Sequence, residues 1–498
     1  MTAPGRDQQG RGRTPHDHSS LPVEGEPTMF QRALLKEADV EPLAAGVLTV
    51  LETVGVLCQN GELLRALDAA GARVDPAAQR VQFPKPMQRE YLEQFRTEHA
   101  PGDDDGHCAF TAPGMPGLGG QIAQFFYDDK QKARRRGNRD DFVTLTKLGE
   151  ALHGDAGVGH SLLLTDVPPL LEPLAAALLM AEYASHPSPA FAWNVRQVDY
   201  LVEMGELLGR QDWFSWGAIC FAHPLRFDKD VADKFVRRVR AGAPTGLTAM
   251  PVAGVTTPVT LEGFIVVSAA EHLATWIAAR ALNPTVPLGG SLWAGTPDPR
   301  TGEVSYSSFD AMLYGCTAVE FLRRWCGLEV VVGGGEYCSA KEPGLYAAQE
   351  KAYKALTIAA FTGRHPSLGQ GMLDDGKVLS PVQLLLERDL TGGVAQYSRT
   401  VNATPEALAL ATIADVDVGL TKSYFETTHT LENFRKCLWT PTLIDRSGWR
   451  GADQEAAILE KASREVQTLL AGYRKPAVDP GTLAAMRGVV DRAKRELL

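Results

Sequence analysis

Between residues 158 and 372 the sequence alternates short apolar, β-rich runs with longer stretches of helical periodicity, and this alternation leaves few architectures open. The runs are Val158–Val167, Ala190–Val195, Trp213–Cys220, Thr245–Gly254, Thr285–Ala294, Leu328–Tyr337 and His365–Met372. Between them lie EPLAAALLMAEYA, DKDVADKFVRRVRAG, LEGFIVVSAAEHLATWIAARAL and AAQEKAYKALTIAAFTG, each with apolar residues at helical spacing. Strands separated by helices need crossover connections, so they pair in parallel. With an eighth strand near His107–Thr111 or Thr427–Leu431, the count reaches that of a (β/α)8 TIM barrel of the α/β class. A doubly wound sheet is the alternative. The glycines of GGGEY are not followed by a GxGxxG helix start, which disfavours a dinucleotide fold.

The flanks read differently. Residues 1–28 are rich in Gly, Pro, Gln and charge and offer almost nothing to bury, which predicts a disordered tail. His16 and His18 fall inside it. Residues 29–100 predict an N-terminal helical cap: AGVLTVLETVGVL sets Val47, Leu48, Leu51 and Val54 on one face, and ELLRALDAAG stops at Gly71. A hairpin follows, with Val74, a turn at Asp75-Pro76, and Val81 to Phe83. The barrel is expected over 101–435. Residues 436–498 predict a helical extension in DQEAAILEKASREVQTLLAGY and GTLAAMRGVVDRAKREL.

Charge and cysteine usage exclude several classes. Fifty basic against sixty acidic residues leave a net charge of −10, unlike a dedicated nucleic-acid binder. Seven scattered cysteines without a CxxC pair fit neither a disulfide framework nor a zinc ribbon. The apolar run Pro168–Met180, broken by Glu172, is shorter than the ~20 residues of a membrane span, and no signal segment opens the chain. A cytoplasmic enzyme is expected.

In a (β/α)8 barrel the reacting groups sit at the C-terminal strand ends. Those ends give Asp166, Trp193, Asn194, Cys220, His223, Met250, Trp293, Glu336, Tyr337, Cys338, Gln370 and His429. A tryptophan-rich mouth in an acidic protein suits a cationic ligand, since a quaternary ammonium donates no hydrogen bond and is held by π faces and carboxylates; the same rings could instead simply fill the barrel top. Trp193, Trp216, Trp293 and Tyr337 are the candidate cage walls. Glu336, at the end of VVVGGGE, either balances the cation or is satisfied by a partner such as Lys341. His429 is either a substrate-orienting group or a helix N-terminal residue. Cys220, His223, Glu336 and Cys338 are zinc-ligand types, but they come from separated strands without paired spacing, and no bound metal is expected. No P-loop, nucleophile elbow or HExxH motif occurs.

Several blocks resemble one family in the same order: PVAGVTTPVTLEGFIVVSAAEHLA with LNPTVPLGGSL, GGGEYCSAKEPGLYAAQEKAYKAL, TTHTLENFRKCLWTPTLIDR, and the opening VLETVGVLCQNGELLRALDAAGARVD. They resemble the trimethylamine:corrinoid methyltransferases. The resemblance implies a barrel that passes a methyl group from an amine to the cobalt of a corrinoid carried by a separate protein. The chain contains only standard residues, which resembles the branch without pyrrolysine, whose substrates are glycine betaine-like quaternary amines. It departs from the family pattern at Ser339-Ala340-Lys341, where Asp often leads, and at His223, where a serine often stands. On this reading Glu336 and His429 are the candidate catalytic residues. His223 joins the substrate-binding set, and His429 or Lys341 would hold a substrate carboxylate. A homo-oligomer is expected by analogy. Two other readings stay open: the same barrel with a different methyl donor, and a catalytically silent barrel that binds a small amine or a partner protein.

Overall fold

The computed structural model describes residues 33–98, 117–119, 121–153, 156–210, 219–328, 330–333, 335–362, 368–394, 396, 403–449 and 451–498. The chain is mixed α/β, with long helices surrounding small sheets whose central pairings are parallel. The longest register joins Thr245–Ala249 to Leu288–Leu292, from Thr245 opposite Leu288 to Ala249 opposite Leu292. Val331–Val332 continues this sheet in parallel on Ser291–Leu292. On its other side the Thr248 N–H donates to the Ile219 carbonyl.

A second parallel arc runs from Leu118 to Val158 and from Val158 to Pro187, with Ala123 paired to Leu162. The described residues form no closed barrel. One gap lies between Pro187 and Ile219. Across the other, the Gln370 side chain substitutes for a ladder, donating to the Gly117 carbonyl and accepting from the Gly119 N–H.

Several expected strands are shorter than the apolar runs that suggest them, or absent. Ala190–Val195 is not a strand: Asn194 caps a 3-10 turn at Val195–Gln197, its side chain accepting from the Arg196 N–H, so the local cap wins over the apolar pattern. Thr427–Leu431 is not an eighth strand. Thr427 caps the helix Thr428–Cys437 by accepting from the Thr430 N–H. The other candidate, His107–Thr111, lies outside the described residues, as does the 1–28 tail. Two hairpins that the alternation does not reveal, Phe125–Asp128 with Ala133–Arg136 and Met372–Leu373 with Val378–Leu379, join through a parallel pairing of Val378 with Phe125.

The expected helices Glu172–Tyr183, Lys229–Arg240, Leu261–Leu282 and Leu345–Thr362 all form. So do Glu37–Thr53 and Gly61–Ala69, and the hairpin of Arg73–Asp75 with Arg80–Gln82. Leu261–Leu282 is long and apolar enough to cross a membrane, yet 78% of its most apolar window is buried inside the protein. Each fully buried apolar side chain contributes roughly 1.5–3 kcal/mol there, so the helix is a core element.

Two large apolar cores form among the described residues, with two smaller clusters beside them. In one, the N-terminal helices pack on Leu261–Leu282, with Phe95 edge-on to Trp276 at 6.3 Å. In the other, the C-terminal helices Gln454–Gly472 and Pro480–Leu497 contribute Ile458, Val466, Met486 and Val489 to a cluster with Leu174, Met180 and Leu201.

Candidate active site

The parallel strands ending at Leu292 and Val332 lead into a group of chemically capable side chains. Trp293 follows the first. Gly333 follows the second and lies flat against the Trp293 ring, where a Cβ would sit 2.1 Å from the indole. Beyond Gly333 the chain turns inward at Glu336 and Tyr337, both buried. The Tyr337 ring lies on Gly376, which holds φ +85° in the turn of the 372–379 hairpin; a Cβ there would meet the ring at 2.4 Å. Its hydroxyl donates to Gln121 Oε1 at 2.8 Å, and its ring stands edge-on to Tyr306 at 6.0 Å.

Behind these rings the helix Leu345–Thr362 buries charge on its apolar face. Lys351 and Lys354 are fully buried. Lys351 pairs with the equally buried Glu387, and Lys354 donates to the Tyr337 carbonyl at 2.7 Å. Glu350 accepts from the Ala340 N–H and from Ser307 Oγ, while Asp375 accepts from the Tyr306 N–H. Burial lifts the Glu336 carboxyl above the ordinary carboxylate range against the opposing pull of Lys354, Lys351 and Gln121. Asp375 is raised for the same reason, and burial lowers the Lys354 ammonium to about 8. Four acidic groups, Glu336, Glu350, Glu387 and Asp375, thus lie around two buried lysines. One donor is also left over: the indole N–H of Trp293 is buried and meets no acceptor among the described residues.

Cys338, next to Tyr337, is buried beside Lys351 and Lys354, whereas several other sequence candidates are held by their own partners. His223 is committed on both ring nitrogens, with Nδ1 on Glu271 at 2.8 Å and Nε2 accepting the Met250 N–H at 3.0 Å. Glu271 also accepts from the Leu225 N–H, so the trio fastens one loop to the helix Leu261–Leu282. His160 and Glu172 repeat the device: Glu172 bonds His160, the Leu164 N–H and the Trp193 indole N–H. Trp193 is 41% exposed and packs on Phe191. Lys341 does not partner Glu336; it pairs with Asp374, on a mostly exposed side chain. His429 lies on the helix Thr428–Cys437 beside Asn433, and no bond ties it to the Glu336 group. Trp216 lies outside the described residues. No group of three or more His, Cys, Asp or Glu side chains is poised to hold a metal among the described residues.

Of the expected site residues, Glu336 and Tyr337 are neighbours in the interior, and the Trp293 ring lies against Gly333, a few residues before them. Gln121, Tyr306, Lys351, Lys354 and Asp375 join them without having been singled out. A signal for two of them was present: Lys351 and Lys354 share the stripe of Ala347, Ala355 and Ile358, so charge sits where helical spacing puts core.

The sequence matches the trimethylamine methyltransferase family, MTTB, over residues 2–497. The chain belongs to that family. Over 93% of its length it is 23% identical to the glycine betaine methyltransferase of Desulfitobacterium hafniense strain Y51, covering 98% of that protein. It is 22% identical to the trimethylamine methyltransferase MttB of Desulfitobacterium hafniense strain DSM 10664, over 94% of this chain and 95% of the relative. Trimethylamine methyltransferase MttB2 of Methanosarcina mazei is 30% identical over 286 residues; the match spans 56% of this chain and 55% of that protein, about half the length of each.

Proposed function

We propose that this MTTB-family methyltransferase takes a methyl group from a small quaternary amine of the glycine betaine type and delivers it to a corrinoid held by a separate protein. On this reading the two parallel arcs are parts of one (β/α)8 barrel, whose mouth holds Trp293, Tyr306, Glu336 and Tyr337. The observation that carries the proposal is the surplus of buried carboxylate beside aromatic rings. Trimethylated nitrogen spreads its charge over its methyl groups, which suits ring faces backed by carboxylates better than a hydrogen-bonding pocket.

Each side chain then has a role. The Tyr306 and Tyr337 rings face the methyl groups. The Glu336 carboxylate balances the cation. The orphaned Trp293 N–H receives one oxygen of the substrate carboxylate. The corrinoid supplies a Co(I) nucleophile for in-line displacement. A quaternary ammonium departs as a neutral tertiary amine, so no proton donor is needed for the leaving group. The chain contributes position and exclusion of water, and a cytoplasmic location accords with this chemistry.

The test is isothermal titration with glycine betaine, carnitine, proline betaine, choline and trimethylamine, followed by methyl transfer to free cob(I)alamin. Saturable binding of one betaine and a matching loss of cob(I)alamin support the proposal. Silence across the quaternary amines would overturn it.

A further inference from the structure

Two β-hairpins stand at the rim of the proposed mouth. Phe125–Asp128 with Ala133–Arg136 follows the segment that pairs Leu118 with Val158 and Ala123 with Leu162 in parallel, so it extends from the C-terminal end of that segment. Met372–Leu373 with Val378–Leu379 lies along the turn after Tyr337: the Asp375 N–H donates to the Cys338 carbonyl and the Asp374 N–H to the Ala340 carbonyl. The hairpins and Lys341 carry seven basic residues against four acidic ones, although the whole chain has a net charge of −10. Asp374 is shared by Arg134 at 2.7 Å, Lys377 at 3.8 Å and Lys341, and one carboxylate neutralises only one cation. The three basic side chains remain 56%, 49% and 64% exposed, in that order.

The rim continues as an apolar arc. Ser305 and Ser307, on either side of Tyr306, bond Ser339 at 2.7 and 2.9 Å. The Tyr353 hydroxyl donates to the Ser307 carbonyl, and Phe309 stacks on the Tyr353 ring at 4.7 Å. Tyr346 lies near both Tyr353 and Lys341. Further along the helix Phe309–Cys326, Tyr314 donates to the Val259 carbonyl. On this path Val255, Val259, Phe309, Leu313 and Tyr346 are exposed, Phe309 by 76%. Glu262 and Asp310 lie beside Tyr314 at the far end, so the charge changes sign along the arc.

We propose that this face docks the corrinoid-bearing protein and seats an acidic surface of that protein on the two hairpins. The inference rests on the methyl-transfer reading above. In-line attack needs the cobalt to reach a methyl group held at Tyr306 and Tyr337, so the protein that carries the corrin must cover whatever borders those rings. The borders are the basic hairpins on one side and Phe309 with Val259 on the other. Exposed aromatic and aliphatic side chains in a polar frame match the core and rim of a protein–protein interface. Opposite charge speeds encounter and fixes orientation, and the change of sign along the arc gives one preferred seating. A small anion would use the cations but not the apolar arc.

Methyl transfer from glycine betaine to two acceptors tests it: free cob(I)alamin, and the small corrinoid protein encoded nearest to this chain, loaded with cob(I)alamin. Arg134→Glu with Lys377→Glu should raise KM for the protein acceptor at least tenfold at low ionic strength, with kcat kept and the gap narrowing in high salt. Phe309→Ser with Val259→Ser should raise the same KM at any salt. Both variants should transfer to free cob(I)alamin within twofold of wild type. A KM for the corrinoid protein that ignores salt, or ignores either variant, would overturn the proposal. So would equal losses with both acceptors, which would place these residues in the substrate chamber. No transfer from glycine betaine or the other amines to either acceptor would count against the methyl-transfer reading itself. Titration with poly-L-glutamate then decides the face. Saturable binding to wild type, weakened at least tenfold in the charge variant, supports an acidic partner; no binding overturns it.

Discussion

Glu336 shows how a single residue can join stability to ligand capture. Burial raises its pKa in the folded protein above the unfolded value, so its contribution to stability is full below the ordinary carboxylate range and is lost as pH rises through the folded value. Glu336→Gln should therefore raise Tm relative to wild type at pH 8, with the difference vanishing near pH 4, as read by calorimetry without ligand. The same variant should weaken betaine binding at least tenfold, and wild-type affinity should itself climb with pH as the carboxyl ionises. Trp293 gives a sharper chemical test. Trp293→Phe keeps a ring but removes the orphaned N–H, and a hydrogen bond to a charged acceptor is worth about 1.5–3 kcal/mol. Glycine betaine should bind roughly 10- to 100-fold more weakly, while choline, which has no carboxylate, should change little. Equal losses for both ligands would show that the N–H does not meet the carboxylate.

At the scale of elements, the site depends on how closely two strand ends approach. Gly333→Ala would place a Cβ within the Trp293 ring, so the ring or the strand must move. A cost of about 1–3 kcal/mol is expected, together with betaine affinity lowered at least tenfold, by chemical denaturation and titration on one preparation. The histidine–glutamate clamps act at the same scale. Glu271→Ala leaves His223 Nδ1 and the Leu225 N–H without their acceptor in the interior, each costing about 1–3 kcal/mol. A Tm drop of several degrees with ligand affinity kept within about twofold would identify the clamp as scaffolding. A selective loss of affinity would instead bring His223 into the site.

For the whole molecule, the distribution of core matters most. The N-terminal helices complete one apolar cluster and the C-terminal helices complete the other, so neither flank is an appendage. Truncation after Tyr473 removes Leu483, Met486, Val489 and Ala493 from the cluster that contains Leu174 and Leu201. Amide exchange over residues 172–207 should then accelerate at least tenfold, while protection over 261–282 should persist. Uniform loss of protection would mean that the two clusters unfold as one unit.

The sequence alone determined which segments are helical, because their apolar residues recur at helical spacing over many turns: Leu261–Leu282 and Leu345–Thr362 were readable to within a few residues. The ordered blocks that resemble the MTTB family were readable as well, and so was Trp293 as the residue that follows a strand end; the strand expected over Leu328–Tyr337 is only Val331–Val332, so Glu336 and Tyr337 lie beyond it. Short runs carried less information. Ala190–Val195 and Thr427–Leu431 suggested strands, but Asn194 and Thr427 offer side-chain oxygens to nearby N–H groups and start helical turns instead. Only the tertiary structure decided which charges meet. Lys351 and Lys354 become part of the site because their helix turns that face inward, and Gln121, Tyr306 and Asp375 arrive from distant segments. Periodicity is a local property of a chain; the company a buried charge keeps is set by which segments pack against it.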